Sequence, residues 1–361
     1  MRILLIEPFY TGSHKKWCDG FQKYSSHQIE LATLSGRHWK WRMHGGAVEI
    51  ARSINPQKVK YDLIVVSDFL DLAAFKALYW DTDVKFYVYF HENQITYPWS
   101  SSDQDVVLKR DNHYGWINYT TSLVADSCLF NSDYHRNSFI DALPEFLKQF
   151  PDGYDLGSVA EISSKSRTLY LGMDLVASEP IKNEVPVILW NHRWEYDKNP
   201  ESFFNALNKI KDLEWNLIVL GESFSSSPDV FARFKDRFHE RTIQWGYVET
   251  IDSYREYLSM SDVLLVTANQ DFFGGSVVEA MYAGVHPILP NRLAYPEHVG
   301  EDLMYSNYAD MLLKLTQAIQ EFESNPCLSS SVEKYNWKNC ISFYDSTLDY
   351  LVNHNGSKVV P

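Results

Sequence analysis

The chain has 361 residues, 45% of them hydrophobic, which is ample for two cores of ordinary domain size. Its net charge of -14, from 33 basic and 47 acidic residues, argues against a general nucleic-acid or anionic-membrane binder and leaves room for a local basic patch at most. No apolar run approaches the roughly 18 residues needed to span a bilayer. Cys18, Cys128, Cys327 and Cys340 form no Cys-x-x-Cys pair, so free thiols in a reducing, cytoplasmic compartment are expected.

Arg2 to Ile6 (RILLI) reads as a short buried strand with no leader before it, and Glu7 to His14 as the loop at its carboxyl end. Gly12 and Ser13 in that loop can bring backbone N–H groups to a ligand, because open α/β sheets bind at the carboxyl ends of their strands. The alternative is a plain strand-to-helix turn capped by Ser13. Gln28 to Thr33 is a second strand. In Gly36 to Met43 (GRHWKWRM), an extended backbone would set Trp39 and Trp41 on one side and His38, Lys40 and Arg42 on the other. That pattern fits two core tryptophans under a solvated basic face, or an aromatic and basic nucleic-acid contact. Tyr61 to Val66 is a third strand, Leu70 to Tyr79 a helix, and Val84 to Phe90 a strand. His91, Glu92, Asn93 and Gln94 follow at its exit, a run of polar side chains that reads as a site; a hydrogen-bonded core histidine is the other reading of His91. Asp111 to Phe130 reads as a helix leading into a short strand, and Asn131 to Asp133 as the cap of a helix carrying His135 and Arg136. Pro144 to Ser166 reads as a surface excursion, Thr168 to Leu171 as the last strand of this half, and Met173 to Glu184 as a linker.

Val185 to Trp190 opens a new sheet. Arg193 and Lys198, five positions apart in the loop after it, can converge on one anion, the first as a fork and the second as a point charge. Two unrelated surface cations are the alternative. Glu201 to Ile210, Phe231 to Glu240 and Tyr254 to Ser259 read as helices. Trp215 to Leu220 is a strand, and another ends at Gln244 to Val248. Val263 to Thr267 is a buried strand, followed by a polar turn, Ala268 to Asp271. Phe272, Phe273, Gly274 and Gly275 lead into a helix from about Ser276, with Val277, Val278, Met281 and Tyr282 on its apolar face. Gly284 stops it, and Val285 to Leu289 is the next strand. Paired glycines admit a ligand to the backbone, and the helix start suits a phosphate. Asp271 and Glu279, eight positions apart, can accept hydrogen bonds from sugar hydroxyls. Ser276 to Glu279 is equally a capping box, in which Glu279 bonds the Ser276 backbone. No acidic cluster has metal-ligand spacing. The alternation of strands and helices predicts an α/β protein of two doubly wound domains, residues 1–175 and 185–335, closed by a helix within 336–353.

The stretch from Asp271 to Glu279 resembles the acid-x7-acid motif of retaining GT-B glycosyltransferases of family 4. The usual first acid there is Glu; here it is Asp271. The resemblance implies a GT-B fold, two Rossmann-like domains facing across a cleft, with a nucleotide-sugar donor on the second domain, the acceptor on the first, and no metal or other cofactor. Asp271 and His91 would contact the transferred sugar, Glu279 the ribose, and Arg193 with Lys198 the diphosphate. Tyr247 or Val248 would pack on the base, and Phe273, Gly274, Gly275 and Ser276 would line the donor. Gly12 and Ser13 would approach it from the first domain, where many relatives have two glycines and this chain one. The terminal helix would cross back to the first domain.

Three further stretches, EPFYTGSHK, WKWRMHGG and FHENQITYP, resemble the tRNA-queuosine α-mannosyltransferases. This implies transfer of mannose from GDP-mannose to the cyclopentenediol of queuosine in a tRNA anticodon, with His14, Lys40, Arg42, Glu92 and Asn93 on the acceptor side. Donor base and sugar rest on that resemblance alone. A family 4 enzyme acting on a small glycan or lipid, and a catalytically silent nucleotide-binding scaffold, stay open. The presence of Arg193, Lys198 and Glu279 argues against the scaffold.

Overall fold

The computed structural model describes residues 1–54, 59–79, 83–100, 103–153, 155–177, 180–223 and 227–354. They divide into two compact units: Met1–Asp174 with the segment from Tyr335, and Leu175–Lys334.

In the first unit β1 (Arg2–Tyr10), β2 (Gln28–Ser35), β3 (Leu63–Ser67), β4 (Lys85–Phe90), β5 (Ser127–Phe130) and β6 (Ser166–Thr168) form one parallel sheet, ordered β2-β1-β3-β4-β5-β6. Ile3 to Ile6 and Leu63 to Val66 are at most 1% exposed. Such unbroken apolar runs are what a parallel sheet covered on both faces requires. The covering helices are α1 (Gly12–Tyr24), α2 (Trp39–Ser53), α3 (Leu72–Leu78), α4 (Gln104–Val107), α5 (Asn112–Val124), α6 (Asp133–Leu147) and α7 (Gly157–Ser164). The chain runs from β1 out to β2 and returns to β3 on the other flank of β1. The switch point therefore lies at the carboxyl ends of β1 and β3.

In the second unit β7 (Val187–Trp190), β8 (Asn216–Leu220), β9 (Thr242–Gly246), β10 (Val263–Leu265), β11 (His286–Pro290) and β12 (Met304–Tyr305) are ordered β12-β11-β10-β7-β8-β9. This is the order of a dinucleotide-binding sheet, reversing between β7 and β10. Its helices are α8 (Pro200–Lys209), α9 (Val230–Arg237), α10 (Ile251–Ser259), α11 (Gly275–Tyr282), α12 (Tyr308–Gln320) and α13 (Ser329–Val332). The last helix, α14 (Trp337–Asn353), belongs to the first unit. Its Trp337 indole occupies space that a side chain at Gly20 or Gly172 would fill. The Tyr344 hydroxyl donates to the Tyr170 carbonyl and accepts from the Trp17 indole and the Gly172 N–H.

Two local expectations are corrected. Gly36 to Met43 is not extended, because Trp39 starts a 15-residue helix. Met43, Ala47 and Ile50 recur at helical spacing and are at most 1% exposed; that period becomes visible only beyond Met43. The stretch from Pro144 to Ser166 is no simple excursion. Helix α6 runs through Pro144 to Leu147, α7 buries Ile162, and β6 begins at Ser166. Among the described residues no helix is long and apolar enough to cross a membrane. All four cysteines are free.

Candidate functional site

In the second unit the loops after β7 and β10 meet at the switch point. The Thr267 hydroxyl donates to the Lys198 carbonyl at 3.0 Å, the Asn269 N–H to the Asp197 carbonyl at 2.7 Å, and the Asn191 amide to the Ser276 carbonyl at 2.7 Å. Lys198 is buried. Its ammonium donates to the Gln270 carbonyl at 2.6 Å and lies 3.2 Å from Asp197 and 3.7 Å from Asp271. Burial works against its charge, but Asp271 and then Asp197 outweigh that and raise its pKa. Burial likewise opposes ionisation of Asp271, and Lys198 outweighs it, so the carboxyl stays below its usual range. Asp271 accepts the Gly274 N–H and the Tyr295 hydroxyl, each at 3.0 Å, which fixes the glycine loop.

Gly274 has φ +84, a left-handed conformation that suits glycine, and is the N-cap of α11. No side chain caps that helix, so its N-terminal N–H groups and positive dipole end suit an anion. The capping-box reading is thereby corrected. The cap falls on Gly274, while the Ser276 hydroxyl pairs with His192 Nδ1 at 2.9 Å. Glu279 accepts the Tyr254 hydroxyl at 2.9 Å. Burial, and then Lys198, hold the His192 pKa down to about 4, so this ring is neutral. Its Nε2 is buried without a hydrogen-bond partner.

Arg193 is half exposed and pairs with Glu195 at 3.2 Å. It is near enough for its charge to oppose that of Lys198. Phe273 is buried, and its carbonyl accepts from His298 Nε2 at 2.5 Å. Tyr247 is 64% exposed and Val248 partly buried, both just after β9.

In the first unit the residues at the carboxyl ends of β1, β3 and β4 gather into a buried cluster of titratable side chains. Glu7 is fully buried; one oxygen accepts the Phe9 N–H at 2.8 Å and the other pairs with His14 Nδ1 at 2.9 Å. Burial would lower the His14 pKa, but the Glu7 carboxylate reverses this and lifts it to about 9. His14 is therefore a cation at neutral pH. Its ring lies 4.2 Å from that of His91, which burial and then the His14 charge keep neutral. Asp68 accepts the His91 N–H at 2.8 Å, and burial lifts its pKa well above the usual carboxylate range. His91 Nε2 is buried without a hydrogen-bond partner. Ligand atoms of Glu7, His14 and His91 lie within 4.8 Å of one another, a grouping that linear spacing did not reveal.

The other acceptor-side candidates are placed differently. Asn93 spends its carbonyl oxygen on the Ile95 and Thr96 N–H groups, at 3.0 and 2.9 Å. Glu92 accepts from Gln94 at 2.8 Å. Lys40 sits on helix α2 and is bound by Asp103 at 2.6 Å and Asp105 at 2.5 Å. Arg42 bonds the Ser35 carbonyl and hydroxyl and pairs with Glu49 at 3.3 Å. Lys40 and Arg42 do not share the face that an extended backbone would give them, because both sit on a helix, and each is paired with neighbouring groups. Gly12 (φ +51) and Ser13 are exposed at the start of α1; its N-cap is Thr11, and Ser13 does not cap it.

Sequence reasoning assigned no role to Glu7, Asp68, His192, Tyr254 or Tyr295. Glu7 directly follows the apolar run of β1, and Asp68 follows that of β3 after one serine, a signal that the sequence carries. Tyr254 and Tyr295 carried none, since each meets its partner 25 or 24 positions away.

Two parallel six-stranded sheets with ligand-ready loops at both switch points define a GT-B glycosyltransferase. Solved structures agree on the fold. Sucrose-phosphate synthase from Thermosynechococcus elongatus aligns with TM-score 0.73 at 13% identity, over 98% of this chain and 99% of that one. The catalytic domain of starch synthase IV from Arabidopsis thaliana aligns with TM-score 0.73 at 12% identity, over 99% of this chain and 100% of that one. The model of the tRNA-queuosine alpha-mannosyltransferase N-terminal domain matches residues 2–173, and that of glycosyl transferases group 1 matches 174–336. The tRNA-queuosine alpha-mannosyltransferase of Drosophila melanogaster is 31% identical over 330 residues, 87% of this chain and 85% of the relative. The chain belongs to the tRNA-queuosine α-mannosyltransferase family.

Proposed function

We propose that the protein moves mannose from GDP-mannose to the cyclopentenediol of queuosine in a tRNA anticodon, with retention at the anomeric carbon. The observation that carries the reading is the pairing of Lys198 with Asp271 beside an uncapped helix start, in a chain of this family. In the reaction the bond from the anomeric carbon to the diphosphate oxygen breaks, and a bond to the acceptor hydroxyl oxygen forms on the same face. The acceptor proton passes to the departing diphosphate. Arg193, Lys198 and the N terminus of α11 stabilise the charge that develops there, usually the largest catalytic contribution. Glu279 takes the ribose hydroxyls, and Asp271, whose carboxylate has lone pairs beyond its two present bonds, takes a sugar hydroxyl.

On the acceptor side, the His14 cation and neutral His91 offer a donor and an acceptor to a vicinal diol. The electrostatics are supplied by side chains and backbone, so the reaction is metal-independent and survives chelation. Loss of activity with EDTA and its return with a divalent cation would instead make Glu7, His14 and His91 a metal site. A tRNA substrate and four free thiols support a reducing, cytoplasmic setting.

The test is incubation with labelled GDP-mannose and tRNA with or without queuosine. Label should enter only queuosine-bearing tRNA, and GDP should bind more tightly than UDP in a calorimetric titration. Label in a glycan or lipid fraction instead would overturn the acceptor.

A further inference from the structure

With Lys40 and Arg42 consumed by carboxylates, the RNA contact expected from them must be sought elsewhere on the same unit. Trp41 is 62% exposed, and its indole lies over Gly45, where any side chain would displace it. An exposed tryptophan against its own helix offers ring surface on which an unpaired base can stack. Beside it, the His44 ring of α2 lies 4.9 Å from the His113 ring of α5. Lys40, one residue before Trp41, ties α2 to Asp103 and Asp105, and so to the segment that continues through α4 to Lys109 and Arg110. Lys109 holds a left-handed backbone (φ +55), and Lys109, Arg110 and Arg37, just before α2, are all exposed cations. Val107, in the same segment, is 68% exposed.

A chain of ring contacts runs inward from the exposed His44 to His14. His14 packs on Phe69 at 5.1 Å, Phe69 on Trp39 at 6.1 Å, Trp39 on Tyr114 at 5.3 Å, and Tyr114 on His44 at 5.5 Å. Aromatic faces interleaved with cations are how proteins hold unpaired nucleotides, bases on rings and phosphates on Lys and Arg.

We infer that the surface formed by Trp41 and His44 of α2 with Lys109 and Arg110 binds the single-stranded loop of the tRNA whose modified base enters the His14–His91 pocket. The inference rests on the tRNA reading proposed above. It also reconciles that reading with a net charge of -14, because a loop held by stacking needs few phosphate contacts. Lys109, Arg110 and the exposed Arg37 together give a salt slope of about -2 to -3.

The full chain is titrated with fluorescently labelled queuosine-bearing tRNA at several salt concentrations. The variants are Trp41→Ala, Trp41→Phe, the double change Lys109→Glu with Arg110→Glu, and a control, Lys209→Glu with Lys235→Glu, in the other unit. Loss of one stacking contact in Trp41→Ala should weaken tRNA binding roughly 5- to 150-fold, and Trp41→Phe should restore most of it. The Lys109/Arg110 change should make the salt slope shallower by about 1.5 to 2. All variants should keep wild-type GDP affinity, hydrolysis of GDP-mannose and melting temperature. If the wild type modifies queuosine tRNA and these variants match it, this surface assignment is overturned while the function stands. If the wild type neither binds nor modifies that tRNA, the function fails and the surface assignment with it.

Discussion

At the scale of single residues, charge is set by partners rather than by residue type. His14 and His91 are buried alike, and only His14 has a carboxylate on its ring nitrogen, so one is a cation and the other neutral. The His14 pKa is raised on folding, from 6.5 to about 9. Its contribution to stability is thus fully present below about pH 6.5 and is lost as pH rises through about 9. Transfer should fall over the same alkaline range. In Glu7→Gln that decline should move toward neutral pH, read from the pH profile of kcat/KM; an unmoved profile would show that the His14 cation takes no part.

In the second unit Arg193→Ala should cost about a hundredfold or more in transfer with little change in melting temperature, because the residue is half exposed. Activity near wild type would remove Arg193 from the diphosphate clamp. Glu279→Gln should weaken GDP binding in calorimetry while α11 stays folded, since Glu279 bonds Tyr254 and is not the helix cap. Equal affinity would show that the carboxylate does not hold the ribose.

At the scale of elements, what the sequence made legible was whatever a short window carries. The apolar runs of β1, β3, β7 and β8 are unbroken, so their buried positions were readable directly. The loop from Asp271 to Glu279 was readable because its glycines, acids and helix start are contiguous. Helix α2 does not show in Gly36 to Met43, because its period lies in Met43, Ala47 and Ile50, beyond the two tryptophans. The fate of Lys40 was hidden because Asp103 and Asp105 stand 63 and 65 positions away. That bridge joins α2 to α4 and its N-cap, and the Lys40 ammonium also lies over the rings of Trp39, Trp99 and Tyr114, at 5.7, 5.2 and 5.9 Å. Lys40→Ala should therefore lower stability by about 1–3 kcal/mol, read as a shift in urea midpoint at constant slope. An unchanged midpoint would leave Lys40 free to be an RNA contact after all.

At the scale of the molecule, two sheets of different strand order each place their loops at a switch point, and each carries its own chemistry. The second unit gathers cations, an uncapped helix start and two carboxylates, a set suited to a nucleotide diphosphate. The first gathers a histidine cation, a neutral histidine and buried carboxyls, a set suited to hydroxyls. An acidic protein that recognises a nucleoside in RNA through hydroxyls and stacking depends little on bulk charge. The central claim is mannosyl transfer to queuosine itself. The most direct measurement is mass spectrometry of nucleosides released from queuosine tRNA after reaction with the purified protein and GDP-mannose, with Arg193→Ala in parallel. The queuosine signal should move to the mass of its hexosyl derivative with the wild type, and hardly at all with the variant. Unmodified queuosine with the wild type, while GDP still binds, would contradict it.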